Sequence, residues 1–279
     1  MKRIAQELQR FGMRLVLTGM ACAFLSILAP RWLPDAGPLL AAFGAGGILL
    51  ILVGVGALFV PGTDHTGEPL VIQPPVQGRW LALNSPATKV PSHGVRAYGQ
   101  AYAVDLVFEP QESERPQFGS GPGMRRPTDF PAFGEPVLSP VPGTVVRVQD
   151  SARDHRSRSR LWAVGYMMIE GMLRELGGVR NIVGNHVVID AGDGCFALVA
   201  HLQRGSAQVG AGDQVEAGQA LGRCGNSGNS SEPHVHVQLM DRANPSTAQG
   251  LPMTFTGIAI GDGQPTTGMP ANGEYMTVS

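Results

Sequence analysis

The chain has 279 residues, a formal net charge of −1, 43% hydrophobic residues and 15% charged residues. This length allows one or two domains, and the near-neutral charge gives no reason to expect the basic surface that nucleic-acid-binding proteins normally show. We therefore expect no nucleic acid as a partner. The apolar share is high for a wholly soluble protein, so the position of the apolar residues matters.

Two long apolar runs lie at the start of the chain. Residues 12–30 and 37–60 are each long enough to cross the hydrocarbon core of a bilayer, which takes about 20 residues. Basic residues before the first run also fit a signal peptide, but that run lacks a small-x-small cleavage site and the second run follows after a short turn. A buried hairpin of a soluble protein is the other alternative. We predict a membrane anchor over residues 1–60 with two transmembrane helices.

The composition changes after Val60, where a stretch rich in proline and glycine predicts a linker over residues 61–80. We predict a folded domain over residues 81–260 and a peripheral tail over 261–279. The domain shows short segments of alternating polarity separated by glycine-rich turns, which indicates a mainly β fold. These segments are AYAVDLVF, GTVVRVQD, GNHVVIDAG, CFALVAHL and HVHVQLM. Cys195 and Cys224 lie in this domain, and the sequence leaves open whether they form a disulfide.

One segment of the domain has helical spacing instead. Residues 161–176 carry apolar side chains at helical intervals, and Gly177-Gly178 supplies a stop, so we predict a helical insertion over about 158–178. Four arginines precede the helix: Arg153, Arg156, Arg158 and Arg160. A basic, apolar helix of this kind can contact a membrane surface or cover a substrate groove. We expect the plainer arrangement, a solvated basic loop followed by a helix that packs on the sheet.

The motif with the clearest chemistry is His234-Val235-His236. Alternate residues of a strand share a face, so the two imidazoles lie side by side. Asp105 interrupts an otherwise apolar strand, where a carboxylate is costly unless it is paired or binds a metal. His201 ends a further strand. A hydrolytic zinc site commonly takes three protein ligands from histidine and carboxylate residues and keeps a fourth position for water.

These motifs together resemble the lysostaphin or LytM-type zinc endopeptidases, which have the duplicated hybrid motif fold. The resemblance covers roughly residues 88–240 and depends on the order of the motifs. The elements are the Asp105 strand, Pro136-Val137-Leu138-Ser139-Pro140, Gly143-Thr144-Val145-Val146, Gly184-Asn185-His186, Ala200-His201-Leu202, residues 209–222, Gly225-Asn226-Ser227-Gly228 and His234-Val235-His236. The resemblance implies a LytM-like β-sandwich or barrel with the helical insertion, after two N-terminal transmembrane helices.

The resemblance also implies roles for individual residues. It implies that zinc is the cofactor, held by His93, Asp105 and His236, and that His201 and His234 form the catalytic pair. Most members carry the first ligand four residues before the aspartate, which is Ala101 here; His93 fits a variant in which that histidine lies further upstream. The substrate-groove candidates are Tyr98, Tyr102 and Asn226. The remaining histidines, His65, His155 and His186, are expected outside the site.

The leading hypothesis is a zinc-dependent endopeptidase that hydrolyses peptide bonds in peptidoglycan cross-links. The main alternative is a catalytically inactive LytM-like scaffold that activates another cell-wall hydrolase. A sugar-phosphotransferase domain with a phosphorylated histidine is a third possibility, but it does not explain Asp105. The expected partners are peptidoglycan peptides and, through the N-terminal helices, a bacterial membrane.

The membrane topology conflicts with this substrate. Basic residues in the N-terminal tail place that tail in the cytoplasm by the positive-inside rule, so two full crossings would return the domain to the cytoplasm. Either the tail is translocated, or one of the two runs does not span the membrane, or the substrate assignment is wrong. The resemblance at the active-site motifs is the stronger signal. We therefore predict a bacterial membrane protein with an extracytoplasmic catalytic domain.

Overall fold

The computed structural model describes residues 2–58, 67–112 and 114–279. Two compact units make up the chain, Met1–Asp64 and His65–Ser279. His65 and the first part of the predicted linker over residues 61–80 lie outside the described residues. The domain boundaries therefore stay a prediction.

The first unit is a pair of helices, α1 (Lys2–Leu28) and α2 (Gly37–Leu58). Each overlaps a segment that is long and apolar enough to cross a membrane, Arg14–Arg31 with a mean hydropathy of 1.3 and Pro34–Ala57 with 2.4. Glycines let the two backbones approach closely: a Cβ added to Gly19 would lie 2.4 Å from the Gly47 carbonyl oxygen. Close approach through small residues is typical of helix pairs in membranes.

The second unit is built on a mixed sheet, and among the described residues the sheet is open and not closed into a barrel. The strand order is β1-β12-β14-β2-β3-β10-β7-β6-β5-β8, with β11 paired to β10, β13 paired to β12, and β4–β9 as a separate pair. The strands are β1 (Leu70–Ile72), β2 (Gly78–Leu83), β3 (Val104–Phe108), β4 (Pro136–Leu138), β5 (Gly143–Gln149), β6 (His186–Gly192), β7 (Cys195–Ala200), β8 (Gln214–Val215), β9 (Ala220–Arg223), β10 (Val235–Met240), β11 (Gly250–Leu251), β12 (Met253–Ile260), β13 (Thr266–Gly268) and β14 (Tyr275–Val278). The mainly β fold class is confirmed.

Apolar side chains from alternate strand positions form the main core. Trp80, Leu106, Ile189 and Phe255 are fully buried there. Burying each such side chain contributes about 1.5–3 kcal/mol. This core supports the strands that carry the candidate site.

The predicted helical insertion is present between β5 and β6 as α3 (Leu161–Leu176), followed by the short α4 (Val179–Val183). We expected a solvated basic loop followed by a helix that packs on the sheet, but Arg158 of the loop is buried and the large apolar side chains of the helix are exposed. The side of α3 that faces the protein carries Ala163 and three charged residues, Glu170, Arg174 and Glu175, which bond to other parts of the domain. The opposite side is exposed and apolar, and we call it the apolar face of α3. Its members include Leu161, Trp162, Tyr166, Met168, Ile169 and Leu173.

The C-terminal segment differs from the predicted peripheral tail over residues 261–279. Tyr275–Val278 forms β14, which pairs with β2 on one side and β12 on the other and is therefore an interior strand. The alternation of Tyr275, Met276 and Thr277 is too short to be distinguished from a loop by periodicity alone. Met276 is fully buried in the core.

Candidate metal and catalytic site

Three neighbouring strands bring the candidate residues together. In the antiparallel registers, His236 of β10 lies opposite Asp105 of β3 on one side and opposite Ala200 of β7 on the other. His201 follows Ala200 directly. The sheet therefore places residues more than 100 positions apart in sequence at one location.

The predicted metal ligands form a compact cluster. One ligand atom each from His93, Asp105 and His236 lies within 4.8 Å of the others. Nε2 of His93 is 3.0 Å from Oδ2 of Asp105, and Nδ1 of His236 is 2.9 Å from Oδ1. Asp105 and His236 are buried, whereas His93 lies at the edge with 15% of its side chain exposed.

A serine determines which nitrogen of His93 faces the cluster. The Ser92 hydroxyl lies 3.2 Å from the carbonyl oxygen of Gln100, which can only accept, so Ser92 donates there. Nδ1 of His93, 3.0 Å from the same Ser92 oxygen, is then the donor of that hydrogen bond. Nε2 of His93 is therefore left without a hydrogen in the neutral ring and points its lone pair at Asp105.

A glutamine determines the same choice for His236. The side-chain nitrogen of Gln238 donates to the Tyr98 carbonyl oxygen at 2.7 Å, which turns its oxygen toward Nε2 of His236 at 2.8 Å. Because an amide oxygen only accepts, His236 carries its hydrogen on Nε2. Nδ1, the nitrogen beside Asp105, is again the one with a free lone pair.

The Tyr98 carbonyl reaches Gln238 through an unusual turn. Tyr98 has φ 62° and Gly99 has φ 73°, both in the left-handed region. A Cβ at position 99 would lie 2.9 Å from Cγ of Met240 and 3.1 Å from the side-chain nitrogen of Gln238. Glycine is therefore required here by its conformation and by the close approach of β10.

The cluster has the properties of a cation site. Oδ2 of Asp105 accepts a hydrogen bond from the Asn84 amide at 2.8 Å. The two imidazole nitrogens beside the carboxylate carry lone pairs in the tautomers fixed by Ser92 and Gln238, and lone pairs repel a carboxylate at about 3 Å unless a cation or extra protons lie between them. Two imidazoles and one carboxylate form a donor set that suits zinc, so the residues present fit this metal.

Charge also favours an ionised carboxylate at this position. Burial raises the pKa of Asp105, but the adjacent His93 and His234, whose positive charge when protonated favours the carboxylate, outweigh it and hold the pKa well below its usual value. Asp105 is therefore anionic at neutral pH and suited to bind a cation.

The predicted catalytic residue His201 lies next to the cluster. Its Nδ1 lies 2.8 Å from the Ser227 carbonyl oxygen, to which it donates, so Nε2 is free to accept a proton. The backbone of His201 has φ 63°, a left-handed conformation that non-glycine residues seldom adopt. Such strain at a buried imidazole is common where a side chain has a functional role.

His234, the second catalytic candidate, faces His201. Their ring centroids are 4.7 Å apart, and Nδ1 of His234 donates to the Glu232 carbonyl oxygen at 2.8 Å. Nε2 of His234 points toward Asp105, 3.5 Å from Oδ1. Both candidates are thus held by their Nδ1 atoms and present Nε2 to the same region.

The protein groups alone push the pKa values of this pair apart. Burial and the nearby His234 and His236 lower the pKa of His201 well below its usual value. Burial also lowers the pKa of His234, but Asp105, the Glu232 carbonyl and the Glu232 charge outweigh it and raise the pKa overall. Two titratable groups with opposed shifts are a common basis for separate acid and base roles.

The groove candidates are placed differently. Tyr98 and Tyr102 lie in the segment between His93 and Asp105, where Tyr98 uses its hydroxyl to donate to Glu175 of α3. Asn226 is fully buried, and its side chain donates to the His155 carbonyl oxygen at 2.8 Å. The structure therefore places Asn226 below the surface, where its amide nitrogen bonds to the loop that contains His155, whereas its Oδ1 has no hydrogen-bond partner among the described residues.

The sequence analysis did not identify the residues that orient the side chains of the three candidate metal ligands. Ser92, Asn84 and Gln238 each contact one of the three ligand side chains. Gln238 was accessible from the sequence because it lies two positions after His236 and so shares its face of the strand. Asn84 and Ser92 gave no such signal, since their contacts depend on turns.

Another buried amide organises the loops around His201. The Asn185 side chain accepts from the Ala152 backbone at 2.7 Å and donates to the carbonyl oxygens of Ala152 and Leu202 at 2.9 and 3.0 Å. The Asn185 backbone nitrogen donates to the Ser227 hydroxyl at 2.9 Å.

His155 and His186 are buried outside the cluster, as expected, and bond to backbone carbonyls.

The chain was compared with known proteins. Residues 124–248 match the model of peptidase family M23. Over 109 residues the chain is 32% identical to the glycyl-glycine endopeptidase ALE-1 of Staphylococcus capitis; the match covers 39% of this chain and 29% of the relative's length. The family match contains His201, His234 and His236, whereas His93 and Asp105 precede it.

Two solved structures are similar to the chain at low identity. The catalytic domain of the antimicrobial peptidase lysostaphin from Staphylococcus simulans is 22% identical, with 53% of this chain and 74% of that chain covered and a TM-score of 0.31. A mutant catalytic domain of the prophage-encoded M23 protein EnpA from Enterococcus faecalis is 21% identical, with 68% and 93% covered and a TM-score of 0.33.

Proposed function

We propose that this chain is a zinc-dependent endopeptidase that hydrolyses peptide bonds in peptidoglycan cross-links, a proposal supported by the match of residues 124–248 to the model of peptidase family M23. The observation that supports this most directly concerns the ring nitrogens of His93 and His236 that carry no hydrogen. Both lie within 3.0 Å of the Asp105 carboxylate. These three side chains would hold the zinc, with His93 as the ligand nearest to solvent.

When bound, zinc would supply Lewis-acid polarisation of a peptide carbonyl and make hydroxide available near neutral pH. The chain's own residues would then move the protons. Nε2 of His201 is free to accept a proton from the attacking water, because its Nδ1 hydrogen is engaged by Ser227. Nε2 of His234 lies on the other side of the same region, where a protonated ring would stabilise the oxyanion.

The proposed substrate follows from the comparison with ALE-1, whose name describes an endopeptidase acting on glycyl-glycine bonds. For this chain we propose the broader class of peptidoglycan peptides. Tyr98 and Tyr102, near His93, are the proposed groove residues. We also propose that α1 and α2 anchor the chain in a bacterial membrane and that the peptidase domain lies outside the cytoplasm.

The first test is the zinc content of the full chain, purified in detergent, beside the variants His93→Ala and His236→Ala. We expect about one zinc per parent chain and a loss of zinc in both variants. His155→Gln removes a buried histidine outside the cluster and serves as the matched control that keeps its zinc. Cleavage of purified peptidoglycan fragments by the parent would then establish the activity.

Two results would contradict the proposed endopeptidase activity. A folded parent that takes up no zinc when offered it would remove the endopeptidase proposal. A parent that binds zinc but leaves every peptidoglycan fragment intact would favour the inactive scaffold.

A further inference from the structure

The apolar face of α3 is the most exposed hydrophobic surface of the second unit. Leu161 and Leu173, at opposite ends of the helix, have 80% and 64% of their surfaces exposed, and Ile169 between them has 57%. Soluble proteins seldom expose so many large apolar side chains side by side unless the surface binds something. The apolar side chains are exposed because the charged residues of α3 lie on the side of the helix that faces the protein.

The inward contacts of α3 are specific. Glu170 pairs with the buried Arg158, Glu175 accepts from the Tyr98 hydroxyl, and Arg174 approaches Glu170 at 3.7 Å. If the helix turned its apolar face inward, the buried Arg158 would lose its partner Glu170, and Tyr98 would lose its hydrogen bond to Glu175. The exposed orientation is held by these polar bonds.

The charge around the apolar face is positive. Arg153, Arg156, Arg160 and Arg180 are exposed. The acidic residues of the same segment are already engaged within the protein: Asp154 accepts from the backbone of Arg204 and Asn226, and Glu170 and Glu175 bond as described. The side chains that remain available to a partner are cationic.

A cavity of about 200 Å³ adjoins this helix, lined in part by Arg153, Arg174 and Arg180 together with His155. Three arginines around one cavity are suited to a phosphate group, since guanidinium groups form paired hydrogen bonds with phosphate oxygens. Because Arg174 lies on the side of α3 that faces the protein, this cavity is lined from that side of the helix, and the exposed arginines are the groups that can meet lipid phosphates near the apolar face.

We propose that α3 is an interfacial membrane-binding helix, with its apolar face in the headgroup region of an anionic bilayer and the exposed arginines of the same segment attracted to lipid phosphates. A bilayer is favoured over a protein partner because the same chain carries two helices that meet the length and composition of membrane spans. This contact is additional to those helices, and it does not depend on catalysis.

The test uses the full chain reconstituted in vesicles. An environment-sensitive fluorophore is attached through Ile169→Cys on the apolar face, or through Gln264→Cys, an exposed site elsewhere in the same unit, as the matched control. Cys22→Ala and Cys195→Ser remove the accessible native thiols, while Cys224 is buried. The fluorophore reports contact with lipid by a blue shift and by quenching from quenchers attached to the acyl chains.

We expect the probe at position 169 to shift and be quenched in vesicles rich in phosphatidylglycerol, and much less in vesicles of phosphatidylcholine. The probe at position 264 should stay water-exposed in both. Salt should weaken the contact because the Debye length falls from about 10 Å at 0.1 M to about 3 Å at 1 M. Arg153→Gln and Arg180→Gln should each reduce the contact by roughly fivefold.

Two outcomes would overturn the proposal. In the first, the probe at position 169 is as water-exposed as the probe at position 264 in anionic vesicles. In the second, the probe at position 169 is protected equally in neutral vesicles, and the protection disappears when the protein is diluted within the bilayer. That pattern would identify a second copy of the chain as the occupant of the face.

Discussion

Gln238 accepts a hydrogen bond from Nε2 of His236 at 2.8 Å, and this single contact fixes which nitrogen of His236 faces Asp105. The amide of Gln238 cannot reverse its orientation without losing its bond to the Tyr98 carbonyl, 2.7 Å away. The left-handed turn at Tyr98 and Gly99, outside the sheet, thus determines the tautomer of His236, a proposed ligand inside the sheet.

We predict that Gln238→Leu weakens zinc binding by about 10- to 100-fold, the usual effect of removing a partner that orients a metal ligand. The reason is that His236 then exchanges between tautomers and ring orientations. Competition with a chromophoric chelator measures the affinity, and Gln264→Leu, far from the site in sequence and exposed, is the control. Equal affinities for Gln238→Leu and the parent would show that the tautomer is fixed in another way.

We predict that Gly99→Ala destabilises the second unit more than Gly94→Ala. Both glycines have left-handed backbones, with φ 73° and 76°, so both substitutions carry the same conformational strain. A Cβ at position 94 meets nothing within 4 Å, whereas one at position 99 meets Met240 at 2.9 Å. The overpacking should add about 1–3 kcal/mol to the cost at position 99, measured by urea unfolding. Identical unfolding midpoints for the two variants would contradict the required close approach.

We predict that His201→Ala retains zinc and lowers kcat by about 10²- to 10⁴-fold, the range for removing a general acid or base. Among the described residues, the side-chain hydrogen bond of His201 is from its Nδ1 to the Ser227 carbonyl oxygen and not to a proposed metal ligand. Zinc analysis and turnover of a peptidoglycan peptide on the same sample separate the two effects. If the variant loses zinc together with activity, His201 is a structural part of the metal site.

We predict that His186 makes the folded state less stable in mild acid. Burial lowers the pKa of His186, and a hydrogen bond to the Gly184 carbonyl only partly offsets this. The unfolded chain, with a pKa of about 6.5, then binds more protons than the folded chain, so stability is present above that pH and is lost as pH falls toward the folded pKa. Urea unfolding at several pH values should show a shallower decline in His186→Gln than in the parent. Parallel curves would mean that His186 titrates alike in both states.

The sequence indicated which side chains lie together at the candidate site better than it indicated their surroundings. The alternation of His234, Val235 and His236 and the lone carboxylate in the Asp105 strand predicted neighbouring groups, because strand periodicity fixes which residues share a face, and the structure brings these groups together. His93 lies in an irregular segment, so its position beside Asp105 depended on a resemblance and became visible only in three dimensions. Ser92 and Asn84 could not be found in this way, since turns have no period.

The orientation of α3 could not be predicted from the sequence, for a different reason. Helical spacing predicted the helix and identified its apolar side, but periodicity does not say whether that side faces the protein. The partners that decided it, Arg158 for Glu170 and Tyr98 for Glu175, lie 12 and 77 positions away in sequence. The interior position of β14 escaped the sequence reasoning for a similar reason, because its partners β2 and β12 are known only from the sheet.

The pairing of Asp105 with His236 joins residues 131 positions apart. During synthesis at about 5–20 residues per second, the aspartate therefore emerges on the order of ten seconds before its imidazole partner exists. For that interval the growing chain holds His93 and Asp105 but not His236, so the proposed ligand set is incomplete. The proposed metal site is therefore completed only after most of the second unit has been made, and the length of the delay follows from the order of the strands and the rate of synthesis.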